Sequence, residues 1–278
     1  LSARDFPPWQ ARLALGFERR VGRSVLARRE QFGPLAIQKT LYPEGDAVCH
    51  GVVLHPPGGI AGGDQIEIAL TLDAGSHALL TTPGAAKWYR SLGAVATQQV
   101  SCTLAAGAML EYLPQETILF DGCRGASKLD IAMEDGAIFI GWDICVMGRA
   151  ASGEAYRSGI FRQRTTITRQ GKPLLVETAR LVGGDPMLTS PAGYRGCSVV
   201  GTLLAAGLKV SASSLATCRE IKVSPSALSG ITQLPGVLAV RYLGDDAEAA
   251  RAYFAKVWSV IRPELLGRAA LPPRIWST

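Results

Sequence analysis

Gln65-Ile66-Glu67-Ile68-Ala69-Leu70-Thr71-Leu72-Asp73-Ala74-Gly75-Ser76 is the stretch from which the fold class is read. Ile66, Ile68, Leu70 and Leu72 alternate with Glu67, Ala69 and Thr71, the period-two pattern of a strand with one buried face. Asp73-Ala74-Gly75 then supplies a tight turn, read as a Gly75 hairpin, before the next apolar run. The unit recurs as Leu104-Ala105-Ala106-Gly107-Ala108 and as Met133-Glu134-Asp135-Gly136-Ala137. The three glycines return at roughly thirty-residue spacing, inside the range of stacked repeats. One such unit cannot bury its own apolar face, so stacking is what makes the core.

Outward from this stretch, further apolar runs lie at 110–113, 118–120, 138–140, 160–167, 174–176, 199–204 and 237–243. Glycine, 31 in all, punctuates nearly every gap between them. Many short strands joined by Gly-rich turns predict an all-β-dominated fold, a layered, β-helix-like stack. About two helices are expected. One is short, at 85–91 after Pro83-Gly84. The other runs over 245–261, where Asp245 or Asp246 can cap the N-terminus. Ala247, Ala250, Phe254, Val257, Trp258 and Ile261 fall on one face of it, and Pro263 is expected to stop it. No linker-like segment divides the 278 residues, so one domain over 1–278 is expected.

Composition narrows the function. Charged residues are 19% of the chain, too few for disorder, and no apolar run approaches the ~18 residues that span a bilayer. Residues 1–10 carry Asp5 and two prolines and lack a signal-peptide core. These features predict a soluble, cytoplasmic protein. The formal charge is +6, from 22 Arg and 7 Lys against 23 acidic residues. The arginines are scattered, with short clusters at Arg19-Arg20-Val21-Gly22-Arg23 and Arg28-Arg29, and no nucleic-acid-binding motif accompanies them. Partner binding is therefore favoured over nucleic acid. The six cysteines form no CxxC pair and read as buried small hydrophobes.

Chemistry-bearing motifs are sparse. Pro56-Pro57-Gly58-Gly59-Ile60-Ala61-Gly62-Gly63-Asp64 is glycine-rich, yet no Gly-Lys-Ser/Thr follows, and a strand follows where a phosphate-binding helix should begin. Any nucleotide would belong to a partner. Of the three histidines, Cys49-His50 and His55 lie close in sequence. Adjacent strand residues point to opposite faces, so a core Cys and a turn His are the expectation. Asp64, Glu111, Glu116, Asp143, Glu154 and Glu177 sit within or beside apolar strands, where a charge needs a partner or a wet channel. A divalent ion in transit would suit such carboxylates. Asp143 and Glu154 could also be cast as a glycosidase pair, but no catalytic signature rises above background.

The order of several long motifs resembles the UreD (UreH) family of urease accessory proteins. They are His55-Pro56-Pro57-Gly58-Gly59-Ile60-Ala61-Gly62-Gly63-Asp64, Leu79-Leu80-Thr81-Thr82-Pro83-Gly84-Ala85-Ala86-Lys87-Trp88-Tyr89-Arg90-Ser91 and Leu110-Glu111-Tyr112-Leu113-Pro114-Gln115-Glu116-Thr117-Ile118. Gly141-Trp142-Asp143, Gly148-Arg149, Gly153-Glu154, Gly171-Lys172-Pro173-Leu174-Leu175-Val176-Glu177, Gly201-Thr202-Leu203-Leu204-Ala205 and Pro273-Arg274-Ile275-Trp276 continue the series. One departure is Asp143, where the family pattern more often carries Glu. The resemblance implies a β-rich, non-enzymatic scaffold that binds apo-urease and recruits UreF, which docks the GTPase UreG. It implies nickel in transit along internal carboxylates, Asp64 and Glu177 first among them. No tightly bound cofactor is implied, and GTP and magnesium would stay on the partner GTPase. The competing reading is a β-helix-type carbohydrate-active enzyme with a carboxylate-lined groove.

Overall fold

The computed structural model describes residues 9–277. Of residues 1–10, where no signal-peptide core is expected, 1–8 lie outside the described residues. After β1 (Gln10–Arg20), β2 (Arg23–Phe32) and β3 (Ala36–Ile37), the chain winds as a parallel solenoid. The first coil is β4 (Cys49–Leu54), β5 (Gly59–Ile60) and β6 (Gln65–Leu72). The second is β7 (His77–Thr81), β8 (Ala86–Trp88) and β9 (Ala96–Leu104). The third is β10 (Met109–Tyr112), β11 (Thr117–Leu119) and β12 (Arg124–Met133). In the fourth, β13 (Ile138–Arg149) runs on past the corner, followed by β14 (Glu154–Ala155) and β15 (Ile160–Arg169).

Except for β14, which pairs antiparallel with β13 of its own coil, each strand of these coils hydrogen-bonds in parallel to a strand one coil away. Cys49, Ala78, Leu110 and Phe139 align across four coils, as do Ile68, Val100, Leu129 and Thr165 in the other wall. Gly75, Gly107 and Gly136 sit at the equivalent corner with φ of +67°, +66° and +72°. The Gly75 N–H donates to Ala106 O, and the Gly107 N–H to Asp135 O. The repeat is thus the coil. Gly75 is a corner rather than a hairpin, because β6 and β7 belong to different sheets.

β16 (Lys172–Val182) and then β17 (Val199–Ala206), β18 (Leu228–Leu234) and β19 (Val237–Gly244) extend the two walls in antiparallel fashion. The result is a seven-stranded sheet, β16-β15-β12-β9-β6-β1-β2, facing a twelve-stranded sheet whose main path is β18-β19-β17-β13-β10-β7-β4-β3. Alternation assigns the faces. Leu13, Leu70, Val100, Ile131, Leu80, Leu110, Phe139 and Leu204 fill the space between the sheets. Leu79, Ile138, Ile140, Ile144 and Leu203 point the other way, against helix α2. Three layers follow: sheet, sheet, helices. All six cysteines are free thiols, five of them buried. No helix among the described residues is long and apolar enough to cross a membrane.

The helix count stands at two, but one helix is elsewhere. Residues 85–91 contain β8, not a helix: Ala86–Trp88 pairs with β5 on one side and β11 on the other. A seven-residue helix is marginal on its own, whereas both neighbouring coils offer backbone partners, and Trp88 buries its ring edge-on against Phe161. The second helix is α1 (Ala212–Glu220), capped by Ser211; it buries only Cys218, so it lacks an apolar stripe to read. α2 (Ala247–Leu266) is capped by Asp246, while Asp245 accepts the Ser198 N–H instead. Pro263 does not stop α2. It removes only the N–H that would reach Ser259 O, and buried Arg262, Leu265 and Leu266 hold the turn on either side. Gly267, at φ +66°, ends the helix.

A left-handed corner is costly for any residue with a Cβ, roughly 1–2 kcal/mol. Gly107→Val should lower the unfolding free energy by about that much and leave the far-ultraviolet β spectrum intact. An unchanged urea midpoint would contradict the left-handed corner.

Candidate functional site

Between the sheets lies a cleft of about 980 Å³. Its distinctive chemistry comes from the fourth coil and the strands that extend it. Asp143 on β13, Thr202 on β17 and Arg241 on β19 are in register across three neighbouring strands, so their side chains share the cleft face. Opposite them, Gln163 on β15 and Glu177 on β16 share the inner face of the other sheet. Two polar links cross the gap. Gln163 Nε2 donates to Asp143 Oδ2 at 2.5 Å. Arg241 Nη2 meets Glu177 Oε1 at 2.6 Å, while its Nη1 donates to Thr202 Oγ1 at 2.6 Å. Burial pushes the Asp143 carboxyl above its ordinary range, against the hydrogen bonds from Gln163 and Thr117. Lys87, Lys128, Arg164 and Arg180 belong to lining strands, but alternation turns their exposed side chains to the outer face.

Of the six carboxylates singled out in the sequence, Asp143 and Glu177 line this cleft. The others are engaged elsewhere. Asp64 accepts the N–H groups of Ala61 and Trp9 and so fixes its own loop. Glu154 forks with Arg149 and accepts the Asp121 N–H. Glu116 lies 3.5 Å from Arg251. The structure does not bring Asp143 and Glu154 together as an acid–base pair. In the Pro56-Pro57-Gly58-Gly59 turn, Gly58 N–H closes on His55 O. A Cβ on Gly59 would stand 2.2 Å from the Tyr89 ring, and one on Gly62 2.3 Å from Ser91 Oγ. These glycines therefore let the loop pack against the next coil. His55 lines the cleft beside them, and burial lowers its pKa despite the nearby Asp64.

Glu111 anchors a second polar centre, buried between the twelve-stranded sheet and α2. Its carboxylate accepts from His77 Nε2 (2.8 Å), Trp258 Nε1 (2.7 Å) and Arg262 Nε and Nη2 (both 2.9 Å). Arg262 reaches on to Glu44, which also meets His50 Nε2 at 2.7 Å, and Arg262 Nη1 bonds Ala269 O as well. His50 is thus a strand residue facing α2, while its neighbour Cys49 faces the inter-sheet core, as expected of adjacent strand residues. Burial pushes both carboxyls up, but the hydrogen bonds from His and Arg262 prevail, holding Glu44 at about 2 and Glu111 below its usual range. The sequence reading missed this centre except for Glu111. One signal was available: Arg262 interrupts the apolar face of α2 next to Ile261. Among the described residues, no three His, Cys, Asp or Glu side chains converge as a ready-made metal site.

Comparison with known proteins gives the family. The family model described as UreD urease accessory protein matches residues 10–277. The chain belongs to the UreD family. It is similar to the urease accessory protein UreD of Dechloromonas aromatica (strain RCB), at 50% identity over 98% of this chain and 96% of that one. The UreD protein of Azoarcus sp. (strain BH72) is 47% identical over 98% and 95% of the two chains. That of Methylobacillus flagellatus is 45% identical over 97% and 95%. UreD proteins are non-enzymatic maturation factors for urease, which sets aside the carbohydrate-active reading.

The buried centre gives this UreD-family chain two measurable properties. Arg262→Met strands two buried carboxylates and should cost about 3–5 kcal/mol in chemical denaturation. Adding Glu44→Gln and Glu111→Gln should recover much of that loss, and no recovery would mean the ion cluster is not what Arg262 supports. Both carboxyls titrate lower in the folded state than in the unfolded one. Their stabilisation is therefore complete above the ordinary glutamate value of about 4.3 and is lost as pH falls below it, Glu44's share as pH nears about 2. Trp258 fluorescence should report α2 loosening in that window, and a flat signal there would contradict it.

Proposed function

We propose that this chain is a scaffold that binds apo-urease and UreF, with the GTPase UreG docked through UreF, and that nickel crosses it through the inter-sheet cleft. Family membership supports the role in urease maturation. The observation that carries the nickel reading is the pair of carboxylates, Asp143 and Glu177, facing one cleft from opposite sheets. Oxygen donors that already hold hydrogen-bond partners bind a divalent ion weakly, which suits passage rather than storage. Asp64 contributes indirectly, because its carboxylate fixes the loop that presents His55 and Gly59 to the cleft. The chain needs no resident cofactor; nickel is cargo, and GTP and magnesium stay with UreG. The exposed arginines of β1 and β2, including Arg19, Arg20 and Arg29, supply surface for protein partners in the cytoplasm.

Glu177→Gln with Asp143→Asn, in the full assembly, should reduce the nickel content of recovered urease several-fold while the complex still co-purifies. Full nickel loading by the double variant would overturn the path. Because the Asp143 proton competes with the metal, nickel binding should strengthen as pH rises through the raised pKa of that carboxyl. A pH-independent affinity that Asp143→Asn leaves unchanged would remove Asp143 from the path.

A further inference from the structure

We propose that Arg241 is an internal counter-cation that the passing metal must displace from Glu177, so that Arg241 sets how weakly the cleft holds its cargo. The inference rests on nickel passing through the cleft. Its own basis is the geometry of one side chain. Glu177 is not a free carboxylate, since its Oε1 lies 2.6 Å from Arg241 Nη2. A divalent ion can take that oxygen only if the guanidinium withdraws. Arg241 has a place to go, because Nη1 already donates to Thr202 Oγ1, its in-register neighbour on β17. It can release Glu177 and keep one strong hydrogen bond on its own sheet. Having withdrawn, it still leaves a positive charge beside the metal. That charge weakens binding and lets Glu177 be reclaimed when the ion moves on.

Arginine suits this role better than lysine. Its planar fork engages two acceptors at once, here one on each sheet, and it stays charged throughout. Among the described residues this is the ion pair that joins a strand of one sheet to a strand of the other. It is also partly solvated, with side-chain exposures of 43% and 35%, so exchange carries no prohibitive desolvation. The two carboxylates of the cleft are therefore held differently. Asp143 is held by a neutral amide, Glu177 by a competing cation.

The test uses the full chain co-purified with its accessory partners, nickel(II) chloride as the probe, four single variants, Arg241→Gln, Arg241→Lys, Thr202→Val and Glu177→Gln, and the Arg241→Gln/Glu177→Gln pair. Arg241→Gln should bind nickel on the order of tenfold more tightly in equilibrium dialysis and release it more slowly to apo-urease. Arg241→Lys keeps the charge but loses the fork that reaches Thr202, so it should not share the tightening of Arg241→Gln and should bind nickel a few-fold more weakly than the parent. Thr202→Val removes the alternative anchor, leaves Arg241 committed to Glu177, and should weaken binding a few-fold; being nearly isosteric, it also tests the idea should Arg241→Gln unfold. In the Arg241→Gln/Glu177→Gln pair the gain should vanish. Nickel binding unchanged or weakened in Arg241→Gln, or unchanged in Thr202→Val, with Glu177→Gln still impaired, would overturn the role of Arg241 and spare the path. No effect of Glu177→Gln would sink the path itself.

Discussion

Every coil of this molecule depends on its neighbours for backbone hydrogen bonds. A strand such as β9 pairs with β6 on one side and β12 on the other, never with another strand of its own coil. The stack is therefore satisfied inside and open at both ends, and open edges invite pairing with other chains. The sequence closes them with strands from outside the repeat. β1 lies parallel on β6 and β2 folds back over it; β3 covers β4; β16 covers β15; and β17 covers β13. At β4, β13 and β15 the change from parallel to antiparallel pairing marks where solenoid becomes cap; at β6 it comes one strand later, between β1 and β2.

That closure explains where the cleft chemistry sits. Within the coils, short strands such as β8 and β11 tie one wall to the other. Past the fourth coil no such corner strand follows, and the walls continue as separate antiparallel extensions. Side chains then replace backbone as the connection. Glu177 to Arg241 is that replacement, and Gln163 to Asp143 makes a like link between the walls within the fourth coil. A link made of side chains can open without breaking a β-ladder, so the same residues that hold the walls can let something pass between them. The helix side of the molecule follows the opposite logic. There Glu111 and Arg262 are fully buried, and His50, His77, Glu44 and Trp258 leave no valence unfilled. Removing one member exposes the rest to the full cost of desolvation, which makes that centre a rigid anchor for α2.

Period-two patterning around Ile66–Leu72 and the glycines at 75, 107 and 136 carried the β-stack, because a solenoid repeats its physics locally. What patterning could not carry was the choice between a short strand and a short helix at 85–91. That choice depends on Gly59–Ile60 and Thr117–Leu119 lying on either side, which is tertiary information. α1 was invisible for the converse reason: its serines and alanines have no stripe, and it is placed by its Ser211 cap and its packing beside α2. At the site, Glu111, Asp143 and Glu177, carboxylates within apolar strands, each hold a polar partner. Their partners were not legible, since Arg241, Gln163 and Arg262 lie far away in sequence.

The arginine excess shows the same division. With 22 Arg against 7 Lys, the chain reads as a basic surface. Yet among the described residues every ion pair uses an arginine or a histidine. Arg149 forks onto Glu154, and Arg262 spans Glu44 and Glu111. A planar fork with five donors can hold a carboxylate and still satisfy a second acceptor, which a lysine ammonium does less well in a confined space. Part of the positive charge is therefore structural: Arg262 holds two carboxylates buried beneath α2, whereas the pairs of Arg12, Arg20, Arg23 and Arg28 lie on the surface. Arg241 follows this pattern in geometry but not in setting. Its carboxylate faces a cleft rather than a closed core, so the fork that stabilises elsewhere becomes, at Glu177, a cation that another cation can replace.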